Sequence, residues 1–277
     1  LRNIFKKKIN IFYLADETPL SRKRISTLIP FLYKRILINS FENNNSRKNC
    51  NHYFYTQPHI PNKEEIIKNK NFILKNNRKN LFCFVGSNVL SISDKGSYKF
   101  RHKILSGLSK FRNFSLYGRK WDQAVIPIDF PLLAIINRLP KIKNFILNFY
   151  KKKYPPIKNK GPIENKINTF NDYNFALAIE PYIGEPKMLL EKIFDPMLCG
   201  SIPVYYGPEG LDIPNNIYIR INEKVVADKL IKYLESFDES ELVEYRTRIY
   251  NFLLSNKAER YRNEYWAKEI LNIIKNV

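Results

Sequence analysis

Apolar and polar positions along this chain recur in short runs that predict parallel strands joined by helices. Residues 8–15 (KINIFYLA), 35–39 (RILIN) and 52–56 (HYFYT) read as strands, with a helix expected over 24–32 and an Asn-rich loop over 42–51. Residues 62–80 are rich in Lys and Asn and are expected to link two lobes. The second lobe opens with 81–86 (LFCFVG), a buried-type strand running into Ser87 and Asn88. Phe100, Ile104 and Leu108 then recur at helical spacing, so 98–110 is expected to be a helix; a strand over 113–117 follows and closes on Gly118. Strand, helix and strand at such short spacing predict parallel pairing with a right-handed crossover.

Residues 175–208 (FALAIEPYIGEPKMLLEKIFDPMLCGSIPVYYGP) repeat the theme with polar groups gathered at one end. An apolar strand leads to a Gly/Pro turn. A helix is expected from Lys187, putting Met188, Glu191 and Lys192 on one face, before a stop at Gly200 and a second strand. Open α/β sheets bind nucleotides at the carboxyl ends of their strands, so the mouth of this unit is the expected binding site. One more strand is expected over 217–221, then helices near 224–236, 239–255 and 258–275. Asp238, Glu239 and Glu241 suit the head of the middle helix.

The 277 residues and 44% hydrophobic content allow one large domain or two of moderate size and exclude wholesale disorder. Three widely spaced cysteines (Cys50, Cys83, Cys199) form no CxxC pair, so neither a zinc site nor a disulfide framework is indicated; two of the three lie in apolar runs as core residues do, and a reducing cytoplasm fits. Apolar residues over 130–149 are interrupted by Arg138, Pro140, Lys141 and Lys143, so this stretch does not span a bilayer. Seven lysines and no acid lie between Lys141 and Lys160. Two readings stand for 130–160: a basic amphipathic helix lying on anionic lipid at the inner face of a membrane, or an insertion packed on its own lobe. The net charge of +21 admits nucleic acid, anionic membrane and phosphorylated substrates as partners. No nucleic-acid-binding module is recognisable, and no specific nucleic acid partner is expected.

The segment 175–208 resembles the donor-binding signature of glycosyltransferase family 10, the α1,3/α1,4-fucosyltransferases. That signature reads F-x-L-x-F-E-N-S, a gap, Y-V-T-E-K, then A-G-x-V-P-V-x-x-G. Glu180 matches the Glu of F-E-N-S, with Pro181 in place of the Asn. Glu191 and Lys192 match the closing pair of Y-V-T-E-K, whose Glu meets the donor ribose and whose Lys meets the diphosphate; Met188 and Leu190 replace its Tyr and Thr. Gly200, Pro203, Val204 and Gly207 match the third motif. Upstream, FCFVGSN and KFRHKILSGLSKFRNFSLYG resemble the family's strand, S-N, helix-borne Arg and Y-G. This implies Arg101 as the diphosphate contact, with Lys99, His102 and Lys103 as rivals, and Tyr117-Gly118 as the strand-end turn. Trp121 covers a base or sugar, or packs in the core. FYLADETP resembles the family's E-S-P strand end, which implies Glu17 as the catalytic base, with Asp16 its rival.

The resemblance implies an α/β, GT-B-like fold: two Rossmann-like lobes facing a cleft, with C-terminal helices. Residues 1–75 would form the acceptor lobe and 76–277 the donor lobe. The chain opens at Leu1 rather than Met, and the first lobe is expected to lack its beginning. The implied reaction is inverting transfer of fucose from GDP-fucose to an oligosaccharide or glycolipid, as in lipopolysaccharide decoration or protein glycosylation, with no tightly bound cofactor and no obligatory metal. Losing the motif's Asn and Tyr leaves another nucleotide-sugar open as donor. A non-catalytic, basic glycan- or nucleic-acid-binding protein is the rival from another class.

Overall fold

A computed structural model of the chain describes residues 9–15, 33–39, 51–55, 59–93, 96–183 and 189–275. Two parallel sheets are present. The first has strands β1 (Ile9–Ala15), β2 (Tyr33–Asn39) and β3 (Asn51–Tyr55) in that order, with Tyr13 opposite Ile36 and Ile36 opposite His52. The expected helix over 24–32, the loop over 42–51, and Asp16, Glu17 and Cys50 lie outside the described residues.

Residues 62–80 are not a plain linker. They carry α1 (Lys63–Lys68) and α2 (Lys70–Ile73), and Ile60, Ile66 and Ile73 are sunk in the main core. The lysines and asparagines of this stretch face solvent while Ile66 and Ile73, with Ile60 just ahead of it, anchor it. Arg78 adds a buried brace, donating to the Asn171 carbonyl at 2.7 Å.

The second sheet holds β4 (Asn80–Val85), β5 (Phe114–Tyr117), β6 (Tyr173–Ile179), β7 (Ile202–Tyr206) and β8 (Ile219–Arg220), all parallel, in the order β5-β4-β6-β7-β8. Phe114, Phe82, Phe175 and Ile202 stand side by side across four strands and belong to the main core. Their neighbours Cys83 and Ala176 belong to a smaller cluster with Phe170, Tyr173 and Cys199. Burial of both faces explains the continuous apolar runs. The chain enters the sheet at β4, steps outward to β5 through α3 (Tyr98–Leu108), and returns to the far side of β4 as β6. The gap between the ends of β4 and β6 is therefore a topological switch point.

The stretch between β5 and β6 forms α4 (Leu133–Ile136), α5 (Pro140–Lys153) and α6 (Lys166–Asn171). α7 (Phe194–Leu198) links β6 to β7. At its end Gly200 has φ +68°, and a Cβ there would lie 1.8 Å from the Ile73 carbonyl oxygen, so the glycine is required. The chain ends with α8 (Ala227–Glu235), α9 (Glu239–Leu254), a 3₁₀ segment over Asn256–Tyr261, and α10 (Asn263–Lys275). Asp238 and Glu241 form a capping box on α9. Fully buried Arg262 donates to the Pro61 carbonyl at 2.8 Å, tying the end of the chain to the segment just after β3. Among the described residues no helix is long and apolar enough to cross a membrane.

Candidate functional site

β4 ends in Gly86-Ser87-Asn88 and β6 in Glu180, so the switch point brings these residues together. Ser97 donates its hydroxyl to the Glu180 carbonyl and its amide to the Pro181 carbonyl, which seats the first turn of α3 against the end of β6. α3 carries Arg101 one turn in.

Arg101 is buried. Its Nη2 donates to the Val89 carbonyl at 2.8 Å, while Nε has no partner, and no carboxylate pairs with the guanidinium among the described residues. Aromatic rings take the place of a counter-ion: the guanidinium lies 4.7 Å from the Tyr98 ring centre, 5.7 Å from Trp121 and 6.0 Å from Phe84. Burial lowers its pKa to about 10, which leaves it charged at neutral pH. Trp121 is fully buried and donates its indole N–H to the Gly86 carbonyl at 2.6 Å, so it is both core and brace. His102 turns the other way, its ring nitrogen 3.1 Å from the Pro155 carbonyl.

Glu180 is almost wholly buried. Its Oε1 accepts the Leu190 amide at 3.2 Å and its Oε2 has no partner. Burial, with the neighbouring Glu191 charge, raises its pKa to about 8, so at neutral pH most of it carries a proton. The Tyr205 hydroxyl beside it is also buried without a partner. Gly207 sits against both: a Cβ there would fall 2.1 Å from Tyr205 Oη and 2.7 Å from Glu180 Cγ.

Glu191 and Lys192 are ion-paired with each other. They lie in the turn before α7, not on a helix begun at Lys187. A helix running from there would hold Pro196 in its interior and lose a backbone bond; starting at Phe194 puts Pro196 in the first turn, where no bond is lost. Burial pushes the Glu191 carboxyl up, but the Lys192 ammonium outweighs it and holds the pKa below the usual range. Lys192 also acts electrostatically on Tyr98 and Glu180. Arg101, Tyr98, Lys192, Glu180 and Glu191 thus form one constellation at the switch point.

Tyr117 stands apart from it, with its hydroxyl 2.9 Å from that of Tyr173 beside the smaller core cluster. Gly118 is fixed by sterics: its φ is +136°, and a Cβ would meet the Gly86 carbonyl oxygen at 2.0 Å. Met188 and Glu17 are outside the described residues. Sequence reasoning did not single out Tyr98, the aromatic one turn before Arg101, or Asn88, whose buried Oδ1 also lacks a partner. The strand-end S-N and the i, i+3 spacing were the available signals. Among the described residues no three His, Cys, Asp or Glu side chains cluster as a metal site would need.

No family model matches the chain, and no curated protein matches it in sequence. Solved structures match in shape. The structure of HepE from Anabaena in complex with UDP and glucose is 10% identical over 96% of this chain and 71% of its own, with a TM-score of 0.50. The trehalose-6-phosphate synthase OtsA is 10% identical over 98% and 68%, also at 0.50. The chain has the GT-B glycosyltransferase fold. Identities this low establish the fold alone. An α1,3-fucosyltransferase structure, 12% identical over 97% of this chain and 79% of its own, reaches 0.49 and adds nothing to the choice of donor.

Proposed function

We propose that this chain is a glycosyltransferase that takes a nucleotide-sugar donor at the ends of β4 and β6. The observation that carries the reading is Arg101: a buried cation without a carboxylate partner among the described residues, with a free Nε, at the switch point of a parallel sheet. A diphosphate supplies the missing counter-charge, and the planar guanidinium can hold two of its oxygens. Lys192 adds a point charge. The two cations stabilise the negative charge that grows on the leaving nucleotide. Glu180, largely protonated, donates to an oxygen of the donor where a carboxylate would repel it. Ionised Glu191 accepts hydroxyls of the ribose.

The donor in this reading is GDP-fucose, on the strength of the motif resemblance at Glu180, Glu191-Lys192 and Gly200 to Gly207. The HepE complex supports a nucleotide-sugar donor in general. Glu17, which follows β1 by two residues in the sequence, is the base in this reading. The acceptor hydroxyl gives its proton to Glu17 and bonds to the anomeric carbon from the face opposite the nucleotide. The bond from that carbon to the diphosphate breaks with its electron pair, and GDP leaves with the configuration inverted. The acceptor is an oligosaccharide or glycolipid. The acceptor lobe is built on β1–β3, and the segment from His59 to Leu74 packs with the donor lobe. Pro181 and Met188, where the family has Asn and Tyr, favour one alternative, a different sugar on the nucleotide.

A donor screen reading released nucleotide tests this. Release of GDP from GDP-fucose, raised by a glycan acceptor, is the expected result. Turnover only with UDP-sugars replaces the donor. A folded protein that consumes no nucleotide-sugar overturns the enzyme reading.

A further inference from the structure

The insertion between β5 and β6 carries an apolar surface that the rest of the described protein leaves open. Leu132, Ile135, Ile142 and Phe149 are exposed, and Phe145 is 76% exposed. No residue of α5 is buried. The helix packs by a different face: Lys143, Ile146, Leu147 and Tyr150 are its half-buried positions, and the Tyr150 ring meets Phe130 and Tyr154, the latter set edge-on against His102 of α3. Ile142, Phe145 and Phe149 form a second stripe, at i, i+3 and i+7, roughly a third of a turn away. An ordinary packed insertion would have hidden the two phenylalanines.

The charges carried by the insertion itself are all of one sign. Arg138, Lys141, Lys143, Lys151, Lys152 and Lys153 lie on α5 or within two residues of it, and no acid occurs between Asp129 and Glu164. A second copy of the chain on this face would set like charge against like. A negatively charged apolar surface satisfies both halves of the pattern. We propose that this face lies on an anionic lipid bilayer, with Phe145 and Phe149 among the upper acyl chains and the lysines against the headgroups. The inference stands apart from the transferase reading, because nothing in it depends on sugar transfer.

Sedimentation of the full chain with lipid vesicles tests it. The protein should pellet with vesicles containing phosphatidylglycerol, should pellet far less with pure phosphatidylcholine, and should be released as salt rises. Phe145→Asp with Phe149→Asp should cut binding to the anionic vesicles about tenfold or more. Circular dichroism should be unchanged, since both side chains face solvent. Three results would overturn the proposal: no binding to anionic vesicles; equal binding by the double variant, which would assign adhesion to the general positive charge; or a dimer in solution that the double variant abolishes, without vesicle binding.

Discussion

Arg101 and Trp121 are joined in one arrangement: the guanidinium lies 5.7 Å from the indole centre while the indole N–H holds the Gly86 carbonyl at the end of β4. The charge is thus held by rings and by one carbonyl in a site without a paired carboxylate among the described residues. Burying such a charge is costly, and in the proposed function a bound diphosphate offsets what the rings leave uncompensated.

Arg101→Met should therefore stay within about 1 kcal/mol of the parent in stability, since it loses one hydrogen bond and sheds a desolvated charge. GDP at 100 times its Kd should raise the parent's stability by about 2.7 kcal/mol and leave the variant unmoved. Thermal melts with and without GDP read both effects.

Lys192→Ala removes a point charge from a half-exposed turn. GDP affinity should fall by about 1–3 kcal/mol, the scale of a hydrogen bond to a charged group, with the fold intact. Calorimetric titration measures it. An unchanged Kd would remove Lys192 from the site.

Glu180 ties stability to pH. Its folded pKa is raised from 4.5 to about 8, so the folded protein holds a proton that the unfolded chain has released across that window. The associated stability is present in full below about pH 4.5 and is lost as pH rises through 8. Glu180→Gln carries no such proton. Its melting temperature should gain on the parent's as pH rises, with the largest advantage near pH 9. Parallel curves would show that the carboxyl is not buried as described.

Gly118→Ala should cost about 3 kcal/mol or more, because a side chain at that positive φ meets the Gly86 carbonyl as well as backbone strain. A urea melt reads the loss. GDP binding should weaken too, since the Gly86 carbonyl also holds Trp121, whose ring lies 5.7 Å from the Arg101 guanidinium.

The second lobe was legible wherever one period dominated. β4 and α3 fall within a few residues of their expected bounds because Phe82 and Phe84, and then Phe100, Ile104 and Leu108, mark burial without competing signals. The same holds for α8 and α9. Legibility failed where charge masked spacing or a single residue ruled. In 62–80 the lysines hide Ile66 and Ile73, seven residues apart and both buried. In α7, Pro196 decides where the helix can begin, and the i, i+3, i+4 spacing of Met188, Glu191 and Lys192 pointed to an earlier start. The last expected helix splits at Arg262, whose partner at Pro61 is remote in sequence. At the site, single residues such as Arg101 and Glu180 could be named from their motif, but their unpartnered atoms, the ring of aromatics and the protonation of Glu180 arise only when β4, α3 and β6 converge.

Glu17→Gln keeps the shape of the side chain and removes the proposed proton acceptor. Turnover should fall about 10²–10⁴-fold, the range for losing a general base, while GDP affinity barely moves, because the proposed diphosphate contacts belong to the other sheet. Steady-state kinetics and calorimetric titration of GDP on parent and variant check both. If Asp16→Asn abolishes turnover and Glu17→Gln does not, the base is Asp16.

The most direct test of the account is calorimetric titration of GDP into the parent chain and into Arg101→Met under the same conditions. The account predicts one-to-one binding to the parent and no measurable heat with the folded variant. Equal affinity for both, or a folded parent that binds neither GDP nor UDP, would contradict the placement of a nucleotide diphosphate at the switch point.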